Sequence, residues 1–455
     1  MNINTGNNEY KGKKRKFHLV TFGCQMNEHD SEMVAGVLES TGYEKTEEPL
    51  EADLFIFNTC AVRESAENRI LGRLGDLKKY KMANKNVIIA VCGCMIQQHE
   101  AVEKIFKRAS FVDVIFSSHN ASQLPTLLAQ VLAGVSPVMS ISENDNFEEG
   151  LKVKREGKLK AYVTIMYGCD NFCSYCIVPY VRGREKSREP EAILKEVEGI
   201  VQEGCKEIMF LGQNVNSYGN TSVLSYDFAD LLRDTARIKG VERIRYMTSH
   251  PRDLSDKMIK VISEHENICK HFHLPIQSGS DKILNAMNRG YTQLEYLNLI
   301  DRIRTAIPEA AITTDIIVGF PSETDEDFLE TLRVMESVRF DAAYTFIYSK
   351  RSGTKASNMS DHVPLLERKN RLKRLMSLQT QIGCEINQKL VGKVYMVLVE
   401  GTSKTNTDMF SGKTDSYKNV VFKGTSDLVG EIIPIKIESA QTWTILGNVQ
   451  KGGDI

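Results

Sequence analysis

The chain has almost no net charge: 58 Lys and Arg stand against 59 Asp and Glu. A global basic signature for nucleic acid is therefore missing, and any RNA site has to be a local patch. Long apolar runs are missing as well. No stretch approaches the length of a helical membrane span, and no membrane partner is expected. The opening residues, MNINTGNNEYKGKKRKF, lack the apolar core of a secretory signal. They read as a disordered basic arm over residues 1–15, and a cytoplasmic location is expected.

What the chain does have is ten cysteines. They are too dispersed for a small disulfide scaffold, and in a reducing compartment they point to metal or redox chemistry. The plainer reading is a buried small hydrophobe. It is preferred for Cys205, Cys269 and Cys384, none of which sits in a ligand-spaced cluster.

A length of 455 residues suggests two to four domains, and 42% apolar residues are ample for their cores. Over residues 16–133, strand-like runs at 17–22, 54–58, 87–91 and 112–116 alternate with helical stretches at 31–40 and 64–81. That alternation predicts an α/β domain on a doubly wound parallel sheet. Residues 134–157, with the acidic stretch SENDNFEEG at 142–150, read as a linker. Over residues 158–388 six further runs, at 161–166, 207–211, 244–248, 271–274, 312–318 and 342–348, predict a (β/α)-type partial or full barrel. In such barrels ligands gather where strands end. Residues 389–452 carry short β runs broken by Gly, Ser, Asn and Asp, the pattern of a small all-β barrel. From residue 385 onward eight lysines face eight acidic residues, so charge decides nothing there.

The strongest local signal is Cys169-Asp-Asn-Phe-Cys173-Ser-Tyr-Cys176, directly after the first barrel strand. Three thiolates in one tight loop can hold an iron–sulfur cluster. A four-iron cluster on three cysteines leaves one iron without a protein ligand. A zinc knuckle would need a fourth ligand, and no His or Cys follows at knuckle spacing. A second set is dispersed. Cys24, Cys60 and Cys94 each follow a predicted strand of the first domain. Strand C-termini of a parallel sheet share one edge, so three cysteines tens of residues apart can converge there. On these residues alone, a cluster and a set of buried or redox cysteines stand about equal. Cys92, two residues before Cys94, faces the same side as Cys94 if the strand continues, and Cys92-Gly93-Cys94 could be a redox pair. Cys94 lies further into the loop and is the preferred ligand.

The loop of Cys169, Cys173 and Cys176, with Tyr175 before the last cysteine, resembles the radical S-adenosylmethionine superfamily. Gly23-Cys24-Gln25-Met26-Asn27, Asn58-Thr59-Cys60 and Gly93-Cys94-Met95 narrow the resemblance to its methylthiotransferase family. So do Leu211-Gly-Gln-Asn-Val-Asn-Ser-Tyr218, Leu274-Pro-Ile-Gln-Ser-Gly-Ser280, Met287-Asn-Arg-Gly-Tyr-Thr292 and Val318-Gly-Phe-Pro-Ser-Glu-Thr324. The tail, with Val399-Glu-Gly-Thr-Ser-Lys404 and Tyr417-Lys-Asn-Val-Val-Phe422, resembles an RNA-binding TRAM domain. The first-cysteine and LGQNVNSY stretches are most similar to the branch acting on N6-dimethylallyladenosine in tRNA. The Pro-Lys and Lys-Val pairs typical of the ribosomal-protein and threonylcarbamoyladenosine branches are absent after Cys24.

The resemblance implies two 4Fe-4S clusters, one on Cys169, Cys173 and Cys176 and one on Cys24, Cys60 and Cys94. It implies S-adenosyl-L-methionine chelated to the open iron and cleaved to a 5′-deoxyadenosyl radical, with Tyr175, Gln213, Asn214, Asp315 and Gly319 on the cofactor. The implied reaction puts a methylthio group on C2 of the prenylated adenosine at position 37 of a tRNA anticodon stem-loop. The C2–H is unactivated, so the cofactor supplies the hard chemistry and the protein positions it. The base has to leave the anticodon stack to react. A low-potential electron donor such as flavodoxin or ferredoxin and a sulfur donor are implied partners, and a monomer is expected. Lys404, Lys413 and Lys418 are candidate phosphate contacts, against the plainer reading of solvated surface lysines. The rival readings are the threonylcarbamoyladenosine methylthiotransferase and a non-catalytic iron–sulfur RNA-binding protein.

Overall fold

Near-continuous apolar runs such as LFIF and VIIAV suit strands covered on both faces, as parallel sheets are. In the computed structural model they are such strands. The structure describes residues 14–61, 64–141, 148–151, 153–155, 157, 159–220 and 225–450, with the side chains of 64–69 left aside. The expected arm at 1–15 therefore lies almost wholly outside the described residues, as does most of the stretch 142–150. The chain divides into two units, Met1–Glu156 and Gly157–Ile455.

The first unit is built on β1 (Lys16–Thr21), β2 (Glu44–Lys45), β3 (Leu54–Thr59), β4 (Ile88–Gly93), β5 (Val114–Phe116) and β6 (Val138–Ser140). They form one parallel sheet in the order β2-β1-β3-β4-β5-β6. Alternate residues serve opposite faces. Phe55, Phe57, Ile89 and Val91 pack against Leu74 and Leu77 of helix Glu64–Ala83 and Val102 and Ile105 of helix His99–Arg108. Leu54, Ile56, Ile88, Ala90 and Cys92 pack against Val34 and Leu38 of helix Gln25–Ser40 and Leu124 and Leu128 of helix Leu124–Leu132. The sheet has one strand more at each edge, β2 and β6, than the sequence pattern gives. β6 falls inside the stretch read as linker, because three residues are too few to show a period of two.

The second unit opens with β7 (Lys160–Thr164), then the short pair β8 (Met166–Tyr167) and β9 (Lys186–Ser187). Its main strands continue as β10 (Glu207–Leu211), β11 (Arg243–Tyr246), β12 (His271–His273), β13 (Ala311–Val318) and β14 (Ala342–Ile347). Two parallel ladders, β7-β10-β11 and β12-β13-β14, join through the bridge of Ile244 to Ile268. Among the described residues β14 pairs only with β13 and β7 only with β10, so the barrel is partial. Helices pack outside it, supplying Ile193, Leu231, Ile262, Leu299, Phe328 and Leu375 to one core. Reciprocal caps, Thr292 with Glu295 and Thr324 with Asp327, start two of these helices where the barrel loops end.

The chain closes with β15 (Val394–Thr402), β16 (Phe410–Lys413), β17 (Asn419–Phe422), β18 (Ile432–Ala440) and β19 (Ile445–Val449). They form a closed barrel in the order β15-β16-β17-β19-β18. Val397, Phe410, Val420, Phe422 and Ile435 fill it. No helix among the described residues is long and apolar enough to cross a membrane.

Candidate functional site

In the first unit the strand order reverses direction between β1 and β3, and the crevice at such a switch point is where ligands of open α/β sheets bind. Cys24 follows β1, Cys60 follows β3 and Cys94 follows β4, three adjacent strands. The three loops meet on one side chain, the buried Asn27. Its amide nitrogen donates to Phe22 O at 2.9 Å and Thr59 O at 2.9 Å. Its Oδ1 lies 3.7 Å from Cys24 Sγ and 3.9 Å from Cys94 Sγ, both within reach of a weak thiol donor. Asn58, also buried, ties back to Asn27 O at 2.8 Å and to Ser31 Oγ at 2.9 Å.

Two glycines permit that approach. Gly23 has φ +124, and a Cβ there would stand 2.8 Å from Cys60 Cβ. Gly93 has φ +95, and a Cβ would stand 2.3 Å from Thr59 O. Cys24 is exposed, while Cys60 and Cys94 are buried. Cys92 is the last but one residue of β4 and belongs to the apolar layer under helix Gln25–Ser40. Burial pushes its thiol well up.

The second set occupies one loop. Gly168, at φ +76, turns the chain out of β8, where a Cβ would meet Arg184 O at 2.0 Å. Phe172 holds φ +44 between the first two cysteines. The loop is braced from the turn after helix Asp281–Ala286. Ser174 N–H donates to Met287 O, and Asn288 Nδ2 donates to Asn171 O and Phe172 O. The buried Arg289 donates through Nη1 to Cys173 Sγ at 3.3 Å, through Nη2 to Pro275 O at 2.8 Å and through Nε to Tyr291 Oη at 3.0 Å. Burial pushes the Cys169 thiol up to about 11 and the Cys176 thiol up to about 12, so both have to lose protons on meeting a metal.

The other expected contacts divide. Tyr175 packs with Phe320 and Tyr348 in a small apolar cluster that joins the cysteine loop to the Gly319-Phe320-Pro321 turn. Gly319 has φ +71 and its N–H donates to Glu323, which is paired with the buried Arg371 at 2.7 Å. Asp315 faces the barrel interior, 3.5 Å from His273 Nε2. Among the described residues Gln213 carries a buried Oε1 that meets no partner. Asn216, Ser249 and Gln277, on neighbouring strand ends, each carry another. Asn214 is tied to the next loop: its Nδ2 donates to Asp253 at 2.7 Å and its Oδ1 accepts from His250 N at 3.0 Å. It is a strut between two barrel loops.

Of the three lysines, Lys404 is exposed. Lys418 is not a free cation: its Nζ pairs with Asp341 at 2.7 Å and donates to Asn387 at 3.0 Å. Lys413 lies over the Tyr417 ring at 4.9 Å, and burial lowers its pKa. Both belong to the seam between the two barrels of the second unit. Of the cysteines read as packing residues, Cys205 and Cys269 are buried and Cys384 is half-buried.

Neither Asn27 nor Arg289 was singled out by sequence pattern, although both fall within quoted motifs. Among the described residues no three His, Cys, Asp or Glu side chains close on a single ion. The donor sets suit a cluster better, since its cysteines bind different irons. A guanidinium on one sulfur suits the negative charge that thiolate-bound clusters carry. The unpartnered polar atoms at the strand ends suit a cofactor with amine, carboxylate and hydroxyl groups.

Residues 163–335 match the radical SAM superfamily, residues 16–117 the Uncharacterized protein family UPF0004, and residues 388–449 the TRAM domain. The fold is shared with solved radical enzymes. The radical S-adenosylmethionine methyltransferase TsrM from Kitasatospora setae superposes with TM-score 0.57 at 13% identity, over 76% of this chain and 75% of that one. Far nearer in sequence is the tRNA-2-methylthio-N(6)-dimethylallyladenosine synthase of Thermoanaerobacter pseudethanolicus. It is 52% identical over 442 residues, 97% of this chain and 94% of the relative. The synthase of Acetivibrio thermocellus is 50% identical over 96% of this chain and 92% of its own length. The chain belongs to the family of tRNA-2-methylthio-N(6)-dimethylallyladenosine synthases.

Proposed function

We propose that this protein is the enzyme that places a methylthio group on C2 of N6-dimethylallyladenosine at position 37, beside the anticodon of tRNA. The identity of about half the residues over nearly the whole length of such synthases carries the reading. Two 4Fe-4S clusters and S-adenosyl-L-methionine, when bound, supply one-electron chemistry able to exchange an unactivated C–H for a C–S bond.

The chain's own residues do the rest. Cys169, Cys173 and Cys176 hold one cluster, and Arg289 fixes the Cys173 sulfur and offsets negative charge beside it. Cys24, Cys60 and Cys94 hold the other, on loops locked by Asn27 and Asn58. Gln213, Tyr175, Asp315 and the Gly319 turn form the cofactor face, with Asn214 holding the β10 and β11 loops together. The labour divides over 16–133, 158–388 and 389–452, with Lys404 of the last domain on RNA phosphate. A flavodoxin or ferredoxin delivers the electron, a separate donor replenishes sulfur, and the protein works as a cytoplasmic monomer.

Nucleoside analysis of tRNA from a deletion strain tests this. N6-dimethylallyladenosine should accumulate and its 2-methylthio derivative should vanish. Persistence of that derivative would overturn the assignment, and loss of 2-methylthio-threonylcarbamoyladenosine instead would move it to the rival substrate.

A further inference from the structure

Inward-facing residues of the partial barrel form a polar column running along the strands. At its base Arg245 Nε donates to Glu207 at 2.8 Å, and both are buried. The remaining guanidinium donors take carbonyls of the terminal barrel. Arg245 reaches Asp415 O at 2.9 Å and Thr414 O at 2.5 Å, and Arg243 reaches Lys413 O at 2.9 Å. Residues 414–418 are thereby drawn into the base of the partial barrel. Tyr417, at φ +67, lies under Arg245 at 4.9 Å and stacks on His271, with centroids 5.4 Å apart and planes 19° from parallel.

From His271 a single file of groups leads up the column. Thr313 Oγ1 stands 2.9 Å from His271 Nε2 and 3.1 Å from His273 Nδ1. His273 Nε2 then faces Asp315 Oδ1 at 3.5 Å. A hydroxyl has one proton, so it donates to one ring and accepts from the other. The Asp315 carboxylate, though beyond hydrogen-bond length, favours a proton on His273 Nε2, which leaves Nδ1 to accept from Thr313. The hydrogen bonds therefore run from His271 through Thr313 to His273, whose Nε2 is turned toward Asp315. Burial, with His273 and Arg245 nearby, holds the His271 pKa well below the usual value, which suits a neutral ring at the start of the chain.

We infer that Thr313 and His273 are positioning residues, which hold the Asp315 carboxylate in one orientation toward the cofactor. The seated loop 414–418 of the terminal barrel anchors the far end of their chain. The inference rests on the reading of Asp315 as a cofactor contact. It gives the terminal barrel a part in the catalytic core besides its part in RNA binding.

The test compares Thr313→Val, which keeps the volume and loses the hydroxyl, with Thr313→Ser, which keeps the hydroxyl. Thr313→Ala is a second hydroxyl deletion, and thermal melting checks that each variant is folded. Calorimetry of S-adenosylhomocysteine on the cluster-loaded protein gives Kd, and RNA-independent cleavage of S-adenosylmethionine gives KM and kcat. Thr313→Val and Thr313→Ala should weaken binding about five- to tenfold and raise KM by the same factor, with kcat within about twofold. Thr313→Ser should stay within about twofold of the parent on all three, and Tyr417→Ala should weaken binding less than Thr313→Val. Equal losses in Thr313→Ser and Thr313→Val would make the residue a packing group and overturn the inference. Weaker binding in Asp315→Asn without any change in Thr313→Val would overturn the chain and leave the Asp315 reading standing. No effect in Asp315→Asn would remove that reading and the inference with it.

Discussion

The two cysteine sets solve one problem by different means. Cys169, Cys173 and Cys176 share eight consecutive residues, so chain connectivity alone keeps them close. Their loop needs only a brace, and Asn288 and Arg289 provide it from a single turn. Cys24, Cys60 and Cys94 have no such tether. They meet because three parallel strands end at one edge, because Gly23 and Gly93 let the loops approach, and because Asn27 and Asn58 tie them. A local site survives much remodelling of its surroundings. A dispersed site is only as sound as the sheet and the buried amides beneath it.

Five changes would break or sharpen that contrast. The largest effect is expected from replacing Cys169, Cys173 and Cys176 together with Ala. Iron should fall from about eight to about four per chain, and cofactor cleavage should stop. An iron assay that returned none would mean that the sets are not independent. Next comes Asn27→Ala, which leaves Phe22 O, Thr59 O and Asn58 short of a buried partner. Thermal unfolding should show a loss of about 3 kcal/mol in the first unit. Iron at that site should drop while RNA-independent cleavage continues. Parallel loss of cleavage would count against the separation.

Arg289→Lys keeps the charge and loses the fork that reaches Cys173, Pro275 and Tyr291 together. Cleavage should slow about tenfold with first-unit iron untouched. An unchanged rate would demote the brace. The smallest effect is expected from Cys92→Ala, a buried cavity worth about 1 kcal/mol with full iron content retained. Cys94→Ala should instead deplete iron in the first unit. The opposite order would make Cys92 the ligand.

The parts of this molecule readable from sequence are those with a period or a fixed spacing. Strands β1, β3 and β4 show as apolar runs, and Cys24, Cys60 and Cys94 follow from where such runs end. β6 does not show, since Val138–Ser140 is shorter than any period it could display. Asn27 and Arg289 escape for another reason. Their partners lie about 30 and 116 residues away, at Asn58 and Cys173, and no local pattern encodes a hydrogen bond over that distance. The contacts of Lys413 and Lys418 are hidden from the sequence in the same way. A lysine in a loop is exposed by default, and only the tertiary seam turns these two inward.

The pair Arg243 and Arg245 bears on heredity as much as on architecture. A module that recombines freely between genes leaves behind, when it departs, a surface already at ease with water. Here its removal would uncover two guanidiniums whose partners are backbone carbonyls of the departing piece, beside a carboxylate buried with them. Truncation before residue 390 is thus a poor surrogate for weakened RNA binding, because it also wounds the scaffold left behind. Any foreign RNA-binding barrel spliced in its place would have to present three outward carbonyls on a tight loop at the same spot, as Lys413, Thr414 and Asp415 do here.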